Sequence, residues 1–509
     1  MTQNRQGSRP ATSHRAQRRP DARGAGLAGL LAVAALVTAG CATTDSTTPT
    51  TTVPSASAGP TTIGSLALGV NVSSWDPLYT GSSGASINRL IESAGVRQLR
   101  YPGGSFADEY HWSNNTDSAK CADVVTAACS RPDPLGFDNF GAQARSARAT
   151  MFVTVNYGSG TPTEGAQWVA HATSVPHTGV ALWEVGNESY SCYETNQHLA
   201  GSPTFIHGYT LGGSVCPTTM EMARSYAANA LPYLQAMKRA DPGARIGVPW
   251  AFSGAVANGA GVSDADIWNA EVLHALRPDI SFVDAHWYPF DTIKGVDAPR
   301  LLNSVRRIPS AAGHIRSMLH HYAPGATFTV GETNISERPT AADFRPVSAL
   351  FAAATSLEWL SAGAAGVDWW DLNNYGTPTT GDFGLLSSGS PETEPTDSPL
   401  PPYYGEVLAS MLTSPGSHLR AIAATPSSLF DFESDLHGRR SVLLVNAAPN
   451  HRFVVTPTWF RHRSQIQVET YGAATSTDSE PIVGSTASST AKVSLPAESI
   501  VVLSGTAKS

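Results

Sequence analysis

From residue 66 onward, short apolar, β-branched runs alternate with longer amphipathic ones, and this alternation limits the fold more than any other feature. The candidate strands are LGVNVS (68–73), RQLRYPGG (97–104), TMFVTVNYG (150–158), ALWEVGNE (181–188), RIGVPW (245–250), ISFVDAHWY (280–288), TFTVGETN (327–334) and AGVDWWDL (365–372). Between them, INRLIESAG (87–95), MARSYAANALPYLQAMKRA (222–240), DIWNAEVLHALR (266–277) and VSALFAAATSLEWLSAG (347–363) read as helices. Eight strands separated by helices predict a (β/α)8 barrel. The competing open, doubly wound sheet would carry a Gly-x-Gly-x-x-Gly turn after its first strand, and none stands there.

After Pro401 the pattern changes. HLRAIAAT (418–425), SLFDFES (428–434), RRSVLLVNAA (439–448), RFVVTPTWF (452–460), IQVETYG (466–472) and AKVSLPAESIVVLS (491–504) follow one another with no helix between them. They predict a small C-terminal β-sandwich over 405–509, behind a barrel over 63–404. The other flank carries no fold. Arginines and then GLAGLLAVAALVTAG (26–40) form a signal peptide that ends at Cys41. Thr38-Ala39-Gly40-Cys41 is similar to a bacterial lipobox, which would place a lipid on Cys41 and anchor the protein outside the cell membrane. A plain secretory signal cut near Ala39 is the alternative. Residues 42–62, rich in Thr, Ser and Pro, read as a flexible tether.

An exported chain oxidises its thiols. Cys121, Cys129, Cys192 and Cys216 allow three pairings. The sequence-local one, Cys121–Cys129 with Cys192–Cys216, is preferred here. The spacing lacks the tight pairs of a zinc site. Charged residues make up 15% of the chain, the net charge is −8, and no basic cluster lies in the folded part, which argues against nucleic acid as a partner.

In a barrel of this kind function sits at the C-terminal ends of the strands. Here those ends are polar and aromatic: Arg100 to Gly104, Asn156-Tyr157, Asn187-Glu188, Trp250, His286-Trp287-Tyr288, Glu332-Thr333-Asn334, and Trp369-Trp370. Aromatic platforms with scattered hydrogen-bonding groups suit a sugar. Two carboxylates on one rim suit glycosidic cleavage, one protonated to assist the leaving oxygen and one ionised to attack. Glu184, four residues before Glu188, lies deeper in the wall and reads as an ion-pair partner. Trp369 and Trp370 alternate, so only one of them reaches the cleft.

With these motifs the chain resembles the retaining glycoside hydrolases of clan A. The resemblance implies Glu188 as acid/base and Glu332 as nucleophile. It also implies Asn187 as the ligand of the sugar 2-hydroxyl, and Arg100 and Tyr288 as hydrogen-bond donors to the nucleophile. Asn156, His286 and Trp370 are further candidate sugar contacts, with loop anchoring and core packing as the competing readings for Asn156 and His286. Leu99-Arg100-Tyr101-Pro102-Gly103-Gly104 is similar to the family 51 α-L-arabinofuranosidases, although Ser105 stands where that family has asparagine. Gly331-Glu332-Thr333-Asn334 is closer to the β-glucuronidase and heparanase relatives of family 79. An oligo- or polysaccharide substrate, α-L-arabinofuranosidase activity, and no metal or cofactor are the expectations. A β-glucuronidase-like enzyme or a non-catalytic carbohydrate-binding lipoprotein are the alternatives.

Overall fold

The computed structural model describes residues 59–117, 132–175, 179–192, 194–199, 205–206, 209–210, 217–253, 264–293, 296–374, 381–389, 395–424, 426–456, 460, 465–472, 481–488 and 491–506. The expected signal peptide, Cys41 and most of the tether lie outside these residues, as do Cys121, Cys129 and Cys216.

Eight parallel strands close into a barrel. They are β1 (Leu68–Asn71), β2 (Gln98–Tyr101), β3 (Thr150–Val155), β4 (Val180–Val185), β5 (Ile246–Trp250), β6 (Phe282–Trp287), β7 (Thr327–Thr333) and β8 (Val367–Trp369). Each pairs with the next, and β8 pairs with β1. Seven of the eight strands fall inside their expected runs, and β4 begins one residue early, at Val180. Helices fill the intervals, and their starts obey ordinary capping. Thr161 caps the helix Pro162–Ser174, and Thr218 with Glu221 forms a capping box for Thr219–Ala240.

The barrel interior has two levels. Leu66, Phe152, Leu182 and Phe282 form an apolar plug among themselves. The second level holds Arg100 on β2, Thr154 on β3, Glu184 on β4, Asp284 on β6 and Asp368 on β8, all buried. Room for them comes from glycines on neighbouring strands. A Cβ on Gly69 would sit 1.7 Å from Asp368 Oδ1, and one on Gly331 2.0 Å from Asp284 Oδ2.

The C-terminal region is sheet-rich. Strands β9 (His418–Ile422), β10 (Leu429–Leu436), β11 (Arg439–Asn446), β12 (Ile466–Gly472), β13 (Ile482–Ala487) and β14 (Ser499–Thr506) form an antiparallel sheet in the order β9-β10-β11-β14-β12-β13. A two-stranded ladder, Phe453–Val455 with Val493–Leu495, closes an apolar core with Val442, Leu444, Val468, Val501 and Leu503. The other face packs on the barrel helices Pro346–Ser361 and Pro401–Ser410.

Three expectations need correction. Thr61 and Thr62 pair with Leu419 and His418, so backbone hydrogen bonding to a sheet edge takes the tether's last two residues into the fold. The boundary at 404/405 falls inside the helix Pro401–Ser410, which packs on barrel and sheet alike. The run 491–504 breaks around Pro496, which has no N–H to donate, and β13 is an additional edge strand of small, exposed residues.

Candidate active site

The site is built on Arg100, which β2 directs into the barrel. Its guanidinium is 1% exposed and takes partners from five strands. Nη1 donates to Glu332 Oε1 at 2.8 Å and to Asn71 Oδ1 at 3.0 Å. Nη2 donates to Glu184 Oε2 and Asn187 Oδ1, both at 3.0 Å. Nε lies 3.5 Å from Asp284 Oδ2, and the group rests over the Phe152 ring at 5.4 Å. Burial alone would lower the Arg100 pKa. The carboxylates of Glu184, Glu332 and Asp284 outweigh it and hold the charge in place. Glu184 is thus the ion-pair partner its depth in the wall suggests.

Glu332 reaches this guanidinium through a bulge. Along β7, Phe328 and Val330 sit in the apolar core, and strict alternation would send Glu332 the same way. The pairing with β6 steps from Ala285–Val330 to His286–Glu332, which leaves Gly331 as the extra residue. Gly331 N donates to Asp284 Oδ1 at 2.6 Å, and its carbonyl accepts from Asn71 Nδ2 at 2.7 Å. Asp284 and Asn71 therefore set the bulge that presents Glu332. The second carboxyl oxygen, Oε2, accepts from Tyr288 OH at 2.8 Å.

Glu188 follows β4 in a turn with φ values of 79° at Gly186 and 42° at Glu188, the latter in a region side chains seldom adopt. Asp108 holds this turn. It accepts from Asn187 N at 3.1 Å, and its other oxygen accepts from Tyr157 N at 3.2 Å and Gly158 N at 3.1 Å. Glu188 Oε1 accepts from Tyr190 OH at 2.8 Å and lies 3.0 Å from His286 Nδ1. The same His286 nitrogen is 3.6 Å from Glu332 Oε2, so one imidazole spans both carboxyls. One ligand atom each from Glu188, His286 and Glu332 lies within 4.8 Å of the others.

The electrostatics divide the two acids. Burial raises both; at Glu188 the hydrogen bond and charge of His286 prevail and its pKa is lowered, whereas at Glu332 burial prevails over His286 and Arg100 and its pKa is raised. Burial would lower the His286 pKa, but Glu332, Asp284 and Glu188 raise it well above the usual histidine value, so the imidazole is cationic. In the empty site these directions run opposite to the expected roles: Glu188, the expected proton donor, is the more acidic carboxyl and Glu332, the expected nucleophile, the less acidic, with the cationic His286 between them. These three groups converge closely enough to bind a cation, yet their negative charge is already compensated by Arg100 and His286.

The remaining expected residues divide. Asn187 joins the site: its Oδ1 takes Arg100, and its Nδ2 has no hydrogen bond among the described residues. Asn156 does not. Its Oδ1 accepts from Ser159 N and Gly160 N, both at 2.9 Å, and its Nδ2 donates to Tyr110 O and Ser159 Oγ. The Asn156 amide is thus saturated by its own loop and by the Tyr110 carbonyl of the segment after β2. Trp369 is buried against Phe351 while Trp370 is only partly buried. Trp250 and Trp287 are buried too, because strand alternation turns them away from the barrel axis. The glycine pair after β2 makes room for aromatic side chains: a Cβ on Gly103 would meet Trp75 at 2.9 Å, and one on Gly104 would meet Trp370 at 2.6 Å. Close packing of two tryptophans demands it. Cys192 is disulfide-bonded.

Asn71, Asp108, Tyr190 and Glu194 also belong here and lacked a signal in sequence, as does Ser105, noted there only as a departure from a family motif; Ser105 and Asp108 lie in a short 3-10 helix, Gly104–Asp108, and Tyr190 and Glu194 in the loop after β4. Ser105 Oγ donates to Glu194 Oε1 at 2.8 Å.

No protein-family model matches the chain. It is 24% identical over 205 residues to an intracellular exo-α-(1→5)-L-arabinofuranosidase of Bifidobacterium longum, covering 40% of this chain and 34% of that protein. It is 30% identical over 121 residues to an intracellular exo-α-L-arabinofuranosidase of Bacteroides ovatus, covering 20% of this chain and 24% of that one. The matched stretch thus spans about a third or less of each relative's length. Among solved structures, the arabinose complex of an α-L-arabinofuranosidase from Thermotoga maritima superposes with a TM-score of 0.62 at 15% identity, covering 88% of this chain and 98% of that one. A 4-O-α-L-rhamnosyl-β-D-glucuronidase from Fusarium oxysporum gives 0.59 at 13% identity, covering 87% and 97%. These structural likenesses show the fold, a closed (β/α)8 barrel followed by a sheet-rich region.

Proposed function

We propose that this protein is a retaining glycosidase that cleaves α-L-arabinofuranosides by double displacement. The observation that carries the reading is the pair of carboxyls, Glu188 and Glu332, whose oxygens approach within 4.8 Å across one imidazole. Retaining enzymes hold their two carboxyls about 5 Å apart. In the first step a Glu332 oxygen bonds to the anomeric carbon as the bond to the leaving oxygen breaks, and Glu188 delivers a proton to that oxygen. In the second, water attacks the same carbon, Glu188 takes the water's proton, and Glu332 leaves as a carboxylate. Arg100 and Tyr288, one on each Glu332 oxygen, orient the nucleophile. When Glu332 is esterified it no longer attracts His286, which frees the imidazole proton to move between steps. Asn187 offers its Nδ2 to the sugar 2-hydroxyl.

A neutral sugar fits best. Arg100 is committed to Glu184, Glu332 and Asp284, and Asp108 and Glu194 add carboxyls near the same centre. A uronic acid would need a cation for its own carboxylate. The partial likeness to arabinofuranosidases points the same way. We place the enzyme outside the cytosol on the apolar run 26–40, the lipobox-like 38–41 and the tether that follows.

A panel of 4-nitrophenyl glycosides tests the reading on the purified protein. Hydrolysis of the α-L-arabinofuranoside with retained configuration is expected. Cleavage of the β-glucuronide alone would overturn the sugar assignment and leave the mechanism standing. Inverted product, or no cleavage of any member, would remove the mechanism.

A further inference from the structure

We propose that Glu194, in the loop after β4, is a glycone-binding residue: its unpartnered carboxyl oxygen takes one hydroxyl of a neutral sugar, and Ser105 holds it in position to do so. This rests on the glycosidase reading above and extends it to a residue outside the two-carboxyl pair.

Glu194 is 5% exposed, and Ser105 Oγ accounts for Oε1. Oε2 is buried and has no hydrogen-bond partner among the described residues. Leaving a buried polar oxygen unmet is costly, and a structural residue would avoid it by finding a partner. The surroundings point to an arriving one. Ser105 directly follows the glycine pair on which Trp75 and Trp370 pack, so the Ser105–Glu194 contact joins the loops after β2 and β4 beside the aromatic wall. Glu188 is six residues away in the same loop, and Glu188, Asp108 and Glu332 all act electrostatically on Glu194.

The chemistry narrows the ligand. Burial first, and those three carboxyls next, push the Glu194 pKa well above the ordinary carboxylate range. The shift favours the protonated form of the group. With Oε1 accepting from Ser105, the remaining oxygen presents an O–H that lacks an acceptor. A sugar hydroxyl supplies one. A substrate carboxylate would also accept, but it would stand among Glu188, Asp108 and Glu332. The site selects for a neutral glycone.

Glu194→Ala, Glu194→Gln and Ser105→Ala, compared with the parent enzyme on 4-nitrophenyl α-L-arabinofuranoside and its 2-, 3- and 5-deoxy counterparts, test this. Glu194→Ala should lower kcat/KM roughly 10- to 100-fold on the full substrate. Glutamine keeps an oxygen for Ser105 and an N–H in place of the O–H, so Glu194→Gln should stay within about threefold of the parent. On the deoxy substrate that lacks the gripped hydroxyl, Glu194→Ala and parent should converge. An equal loss on every substrate, or no loss from Glu194→Ala, overturns the assignment. Should Glu194→Ala fail to fold, Ser105→Ala, an exposed change, must show a smaller loss with the same deoxy dependence; a loss indifferent to the deoxy position overturns it equally. If the enzyme prefers another aryl glycoside, the arabinofuranoside reading falls and the same comparison on that glycoside decides Glu194. If it cleaves none, calorimetric titration with L-arabinose decides: weaker binding by Glu194→Ala than by Glu194→Gln upholds the role, and equal binding or none overturns it.

Discussion

The barrel interior and the C-terminal sheet solve the same problem of filling a core in opposite ways. Between the sheet and its two-stranded ladder lie Val442, Leu444, Phe460, Ile466, Val468, Val493, Leu495, Val501 and Leu503. The sheet's Glu433 is neutralised by Arg420 and Arg440, which are 47% and 29% exposed and keep contact with water. The barrel has an apolar plug, but beyond it Arg100, Glu184, Asp284, Asp368 and His286 are packed together away from solvent. Buried ion pairs stabilise a fold no better than well-packed apolar side chains would, and removing one partner is costly. Stability therefore does not explain the charged layer. What it does is hold Glu332 and Glu188 at fixed positions: Asp284 and Asn71 grip the bulge at Gly331, Arg100 binds Glu332, and His286 spans both acids. Charge placed in a dry core is a common mark of a functional site, and this layer is the candidate one.

The comparison breaks most readily at the two acids. Glu332→Ala should lose roughly 10⁴-fold or more in kcat on every glycoside. Glu188→Ala should lose about 10²- to 10⁴-fold on substrates with poor leaving groups and far less on aryl glycosides, with azide restoring turnover as a glycosyl azide of retained configuration. Equal losses on both substrate types, without azide rescue, would place the proton donor elsewhere.

Arg100→Met and Leu503→Ala set the two cores against each other. Removing the guanidinium strands three carboxylates and should cost about 3–5 kcal/mol of stability, together with most of the activity. Leu503→Ala opens an apolar cavity, costs about 2–4 kcal/mol, and should leave KM and kcat of the folded protein unchanged. Urea unfolding and steady-state kinetics on both variants measure the contrast. A kinetically silent Arg100→Met would show that the charged layer is structural after all.

The smallest effect is one of pH. His286 is held above the ordinary histidine value of 6.5 in the folded protein, so it binds its proton more tightly there than when unfolded. The stability it contributes is complete below about pH 6.5 and is lost as pH rises through the folded value. The melting-temperature advantage of the parent over His286→Gln should therefore shrink as the solution is made alkaline. An advantage that grows with pH would mean that the imidazole is held neutral.

Much of this site was legible residue by residue. Glu188, Glu332, Arg100, Asn187 and Tyr288 were recognisable because a barrel uses its strand ends and these are the polar groups standing there. Asn156 shows the limit. It ends β3 as Asn187 follows β4, with the same side chain, yet the turn over 156–160 folds back onto it and consumes its amide. Trp250 and Trp287 likewise sit at strand ends and face outward, whereas Trp370 is partly open.

The order of strands and helices, and so the barrel, is determined by the sequence alone, because apolar periodicity is local and each run forms its element whatever its neighbours are. The sheet-rich C-terminal region follows for the same reason. Which way each side chain faces belongs to the tertiary structure. Strict alternation would have sent Glu332 into the wall with Val330; the bulge at Gly331 turns it inward, and that bulge exists only because Asp284 from β6 and Asn71 from β1 meet it there. Glu194 and Ser105 are 89 residues apart and meet only because the loops after β2 and β4 converge at one rim. Such meetings depend on the closed ring, and no local pattern encodes them.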